Sequence, residues 1–102
     1  METNNELEKI SMMIITYSGI AKSSAIQAMD NAEKGLPFIE LLEESENNLK
    51  EAHKEHFKVI QKDAEKGIKM DILFIHAEDQ MSSAETILIM TKRITKLYEK
   101  RK

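Results

Sequence analysis

Met70-Asp-Ile-Leu-Phe-Ile-His76-Ala-Glu-Asp79-Gln80-Met-Ser-Ser83 reads as the opening of a long helix whose apolar stripe is broken by a polar cluster. At about 100° per residue, His76, Asp79, Gln80 and Ser83 share one helical face. Leu73 precedes them on that face, and Ile87, Met90, Ile94 and Leu97 follow. Hydrogen-bonding groups therefore stand where packing alone asks for hydrocarbon. Burying such groups without partners costs roughly 1–3 kcal/mol each, so the cluster is expected to have a use.

Outward from this stretch the period stays helical. Two glycine-containing breaks, Glu33-Lys-Gly35-Leu-Pro37 and Glu65-Lys-Gly67-Ile-Lys69, divide the chain into three stretches of similar length, each break having the form of a helix end followed by a restart. Upstream, Leu7, Ile10, Ile14, Tyr17, Ala21 and Ala28 recur at helical spacing, with Met12, Met13 and Ile15 expected to widen the buried face and Gly19 as the one weak spot. In the middle stretch Leu42, Ser45, Leu49, Ala52, His56 and Val59 step by three and four, with Glu, Lys and Asn opposite. In the last, Asp71 is placed to cap a helix whose seam runs from Leu73 to Leu97. No strand pattern competes. The spacing predicts one all-α domain over 1–102, an antiparallel up-down-up three-helix bundle with helices at roughly 3–33, 37–66 and 70–101. Apolar residues on a further stripe, around Ile72, Ile75 and Ile89, predict a self-associating surface, most simply a symmetric homo-oligomer.

The composition sets limits on function. A chain of 102 residues has room for one modest core and no second catalytic domain. Its net charge of −3 gives no electrostatic case for nucleic acid. The basic run Lys92-Arg93…Lys96…Lys100-Arg101-Lys102 is read as a complement to the helix dipole. The absence of cysteine excludes disulfides, thiolate metal sites and cysteine nucleophiles. With no signal peptide and no apolar run of about 18 residues, the expected location is cytoplasmic, without membrane insertion.

Histidine, with an ordinary pKa of about 6.5, can transfer protons, bind metal or accept a phosphoryl group. Proton chemistry needs a concave pocket that so small a bundle does not offer. A metal arm from His76 and Asp79 alone is too small a ligand set. Phosphoryl acceptance asks less: an accessible neutral imidazole, donors for the phosphoryl oxygens, and a partner that aligns the reactants. Gln80 and Ser83 supply donors one and two turns beyond His76. On spacing alone, the simpler reading is a hydrogen-bonded interior patch that fixes register and does nothing else. The His53-x-x-His56 pair could be proposed for zinc, but charged neighbours mark His53 as solvated and His56 as partly buried. The seven methionines read as adaptable core filler.

The run Ile72-Leu-Phe-Ile-His76-Ala-Glu-Asp79-Gln80-Met-Ser-Ser resembles the active-site stretch of the lactose/cellobiose-type IIA proteins of the bacterial phosphoenolpyruvate-dependent sugar phosphotransferase system. The likeness extends to Gly19-Ile-Ala-Lys-Ser23 with Ala25, Met29 and Ala32, to Ala52-His53 and Gln61-Lys62, and to Leu97-Tyr98-Glu99. The resemblance implies a cytoplasmic phosphocarrier in which three such subunits form a trimeric nine-helix bundle. His76 would take a phosphoryl group on Nε2 from the phosphohistidine of HPr and pass it to a cysteine of the cognate IIB protein. Asp79 would meet its symmetry mates around a divalent cation, commonly magnesium. Converging carboxylates repel, and an all-oxygen site suits that ion. Against the commoner His-Ala-Gln-Asp-His, Glu78 stands for a glutamine and is expected on the outer face, roughly 160° from His76. Gln80 stands for a second histidine, keeping a donor for the phosphoryl oxygens but removing a possible positive charge. Phe74 and Met81 are expected to form an exposed apolar rim for partners.

Two other classes compete. One is a non-catalytic helical adaptor. The other is a histidine-phosphotransfer domain of a two-component relay, which typically carries a basic residue soon after its histidine; none occurs between Ala77 and Glu85.

Overall fold

Three helices and no strand make up the described residues of the computed structural model, which are 2–66 and 71–101, with side chains from 5–61 and 71–101. The helices are α1 (Glu2–Glu33), α2 (Ile39–Lys66) and α3 (Ile72–Lys100). They lie side by side in a body 55 × 19 × 18 Å. The second glycine break at Gly67-Ile68-Lys69 and the expected start of the last helix at Met70 lie outside the described residues.

The first break is closed by its own backbone chemistry. Gly35, at φ +74°, takes the left-handed conformation that glycine adopts without steric cost. Leu36 N donates to Asn31 O at 2.8 Å and Gly35 N to Ala32 O at 3.1 Å, the paired bonds of a Schellman ending. Pro37 precedes the next helix instead of beginning it. The Phe38 carbonyl accepts from Leu41 N and Leu42 N, both at 3.1 Å, so Phe38 is the half-in residue and its ring tucks under Ala28 and Ala32.

Two apolar clusters hold the helices together. Leu7, Ile10 and Ile14 of α1 meet Ala52 and Val59 of α2 and Phe74, Ala77 and Met81 of α3. Ala28 and Ala32 meet Phe38, Leu41, Leu42 and Tyr98. Between them runs a polar belt. Ser45 Oγ donates to the Ala21 carbonyl at 2.7 Å, and Ser24 Oγ to Glu44 at 2.8 Å. α1 runs through Gly19 without interruption.

The core stripe of α3 is not the expected one. Phe74, Ala77, Met81, Ala84, Leu88, Thr91 and Thr95 are buried, one step round the helix from the seam read off Leu73 to Leu97. On that expected seam Leu73, Ile87 and Ile94 are half-buried, while Met90 and Leu97 are exposed. Both stripes have the three-four spacing of a packed face. What separates them is that Phe74, Ala77 and Met81 enter the cluster with Leu7, Ile10 and Ile14 of α1, whereas the other stripe forms a shoulder. Three further expectations are corrected. Phe74 and Met81, at 0% and 6% exposure, are core and not a partner rim. Met12 and Met13 are exposed and do not widen the buried face of α1. Glu78 does not lie on an outer face, because it turns to α2.

Candidate functional site

Asp71 begins α3 and so positions the polar cluster. Its Oδ1 accepts from Phe74 N at 2.8 Å, and its carbonyl accepts from Ile75 N at 3.1 Å. This cap satisfies donors that the first turn would otherwise leave orphaned. His76 stands in the second turn, beyond the capped donors.

Around α3, at about 100° per residue, the core stripe has two flanks. One faces α2 and is charged. His56 Nε2 meets Glu78 Oε2 at 2.8 Å, His53 Nε2 meets Glu85 Oε1 at 3.1 Å, and Lys92 Nζ meets Glu46 Oε1 at 2.9 Å. The His56 ring also stacks on Phe74. The His53-x-x-His56 pair is thus divided between two glutamates of α3, with His53 well exposed and His56 half-buried as the sequence predicts.

The other flank faces α1 and carries Gln80. Lys22 Nζ of α1 donates to Gln80 Oε1, joining residues 58 positions apart. Ser83 is half-buried on the same side. His76 and Asp79 stand further out, both exposed, and neither has a hydrogen bond or ion pair among the described residues. The four residues therefore share a face as the spacing predicts, but within one chain that face is a shoulder and not an interior. A buried register-fixing network is not what these side chains form.

Opposite the core, α3 presents Ile72, Ile75, Ile89, Met90 and Leu97 to the outside, with Ile72 at 87% and Leu97 at 63% exposure. Asp79 lies in the middle of this apolar strip. Asp79 is thus an exposed carboxylate among exposed aliphatic residues, and its oxygens are of the kind that a hard divalent ion takes. Among the described residues of one chain, no three His, Cys, Asp or Glu side chains group to hold a metal.

Lys22 is the residue that sequence reasoning passed over. A search along α3 for a basic neighbour of His76 finds none, because the cation arrives from another helix. Its one sequence signal was its place in Gly19-Ile-Ala-Lys-Ser23, next to the core residue Ala21.

Residues 9–99 match the family described as PTS system, Lactose/Cellobiose specific IIA subunit. The chain is similar to the lichenan-specific phosphotransferase enzyme IIA component of Bacillus subtilis (strain 168), at 35% identity over 95% of this chain and 91% of the relative. It is similar to the N,N'-diacetylchitobiose-specific EIIA component of Escherichia coli (strain K12), at 31% identity over 95% and 86%. Its fold matches the crystal structure of the PTS cellobiose-specific enzyme IIA from Bacillus anthracis with a TM-score of 0.87, at 29% identity over 92% of this chain and 89% of that one. No helix among the described residues is long and apolar enough to cross a membrane.

Proposed function

Because this chain belongs to the lactose/cellobiose-specific IIA subunits of the PTS system, we propose that it is a cytoplasmic phosphocarrier of sugar uptake whose phosphorylated residue is His76. The observation that carries this reading is the exposure of His76 beside Gln80, whose amide oxygen is taken by Lys22. An imidazole open to solvent is open to a donor protein.

The phosphoryl group comes from the phosphohistidine of HPr. As the donor's N–P bond breaks, its electron pair stays on the donor nitrogen and His76 Nε2 forms the new bond to phosphorus. Each ring keeps the proton on its other nitrogen, so no proton changes hands. In-line positioning and charge stabilisation supply the catalysis. Gln80 and Ser83 act as donors to the phosphoryl oxygens. Onward transfer goes to a cysteine thiolate of the IIB partner. Such docking is brief, in a contact at the small end of interface sizes.

The two apolar clusters support the up-down-up hairpin subunit: the starts of α1 and α3 meet the end of α2, and the ends of α1 and α3 meet its start. The exposed strip of α3 supports a homotrimer packed as a nine-helix bundle around that helix. Aliphatic residues bury against their copies, and Asp79, with its symmetry mates, would hold a divalent cation such as magnesium. The ion would supply positive charge that neutralises converging carboxylates. Relatives are named for lichenan, for N,N'-diacetylchitobiose and for oligo-beta-mannosides. The cargo here belongs to that range of sugars, with the choice among them made by the membrane-bound partner.

The test is transfer in both directions. Prephosphorylated HPr should load the protein, and a cognate IIB protein should unload it. Loading without any IIB-dependent unloading would limit the chain to a phosphate sink and overturn the carrier reading.

A further inference from the structure

The structure assigns Lys22 a positioning role in the transfer: it locks the Gln80 amide with its oxygen inward and its NH2 aimed at the phosphoryl group on His76. This rests on the phosphocarrier reading above. An ammonium has three donors and no acceptor, so it can take only the oxygen of an amide. The Lys22 contact therefore settles which way Gln80 is turned, a choice that geometry alone leaves open for most amides. The Nε2 donors then point away from Lys22, and they have no partner among the described residues.

Gln80 is one turn after His76, where side chains are neighbours with Cβ atoms about 5–6 Å apart. Helical side chains lean toward the N-terminus, so Gln80 leans toward His76. A phosphoryl group on Nε2 brings oxygen acceptors into the space the amide donors face. It also brings one unit of negative charge with it. Glutamine carries no charge of its own, and the ammonium on its oxygen polarises the amide and strengthens its N–H donors. Lys22 thus acts on the phosphoryl group through Gln80.

The experiment compares wild type, Lys22→Met, Lys22→Arg, Gln80→Leu and the Lys22→Met/Gln80→Leu double variant. Each is loaded from phosphorylated HPr, and both the loading rate and the lifetime of the phosphorylated protein are followed by intact mass. Loss of a hydrogen bond in a charge-assisted pair predicts at least about a tenfold slower loading or shorter lifetime for Lys22→Met. Gln80→Leu should match it, and the double variant should be no worse than either. Lys22→Arg should recover most of the loss, which a purely structural role for the lysine stem would not require. Melting temperatures and helix content serve as the control for folding. Wild type that fails to load sinks the carrier reading and this inference with it. Wild type that loads while Lys22→Met is indistinguishable from it overturns the inference alone. Single losses that multiply in the double variant also overturn it, because Lys22 would then act on the phosphoryl group directly.

Discussion

The ring of His56 on α2 lies flat against that of Phe74 on α3, with centroids 5.6 Å apart and planes 2° from parallel. Its Nε2 also meets Glu78 at 2.8 Å. α2 is thereby clamped to the first turns of α3, two residues from His76. His56→Ala is expected to cost about 1–2 kcal/mol in urea melts, from the lost stack and hydrogen bond, and to leave His76 able to load. A folded His56→Ala protein that no longer loads would move His56 from packing into the chemistry.

His53 makes the neighbouring pair with Glu85, but both side chains are well exposed, at 49% and 39%. Exposed pairs are worth little, so His53→Ala should change stability by less than about 0.5 kcal/mol. Zinc offers a sharper check. A rise in melting temperature with added zinc that His53→Ala abolishes would make the two histidines a metal site and not two separate ion pairs.

The Asp71 cap sets where α3 begins, and so holds the turn that leads into His76. Asp71→Ala should lose about 1 kcal/mol and speed amide exchange over residues 72–76. Asp71→Asn, which keeps a side-chain acceptor, should behave nearly as wild type. Unchanged exchange in the alanine variant would mean that contacts with α1 and α2, and not the cap, fix this turn.

Assembly through the outer strip of α3 predicts a sedimenting mass about three times the 11.7 kDa of one chain. Leu97→Glu should reduce it to one chain with helix content unchanged, because Leu97 lies outside the subunit core at 63% exposure. A chelator should weaken the wild-type assembly, whereas Asp79→Leu should assemble with or without it, since no converging charge remains to be neutralised. Trimers of Leu97→Glu would place the interface elsewhere.

The helical period, the Gly35 ending and the Asp71 cap are local chemistry, and they could be read along the chain. Which stripe of α3 faces its own subunit could not. Leu73 and Phe74 begin two seams with the same spacing, and only the packing of the three helices, which puts Phe74, Ala77 and Met81 in one cluster with Leu7, Ile10 and Ile14, selects the one from Phe74. The seam from Leu73 looked like core because its exposed residues, Met90 and Leu97, are as apolar as those of a packed face. Glu78 was misplaced for a related reason: an angle from His76 gives its direction on α3 but not which helix stands there. Lys22 was missed because its partner is 58 residues away, and no spacing rule links a lysine on one helix to a glutamine on another.

The most direct test of the account is the intact mass of the protein after incubation with phosphoenolpyruvate, enzyme I and HPr. Wild type should gain about 80 Da, the mass of one phosphoryl group, and His76→Ala should gain nothing while keeping its helix content. A folded His76→Ala protein that gains the same mass would put the phosphoryl group on another residue. No gain by wild type, with donors that load another IIA protein, would contradict the phosphocarrier itself.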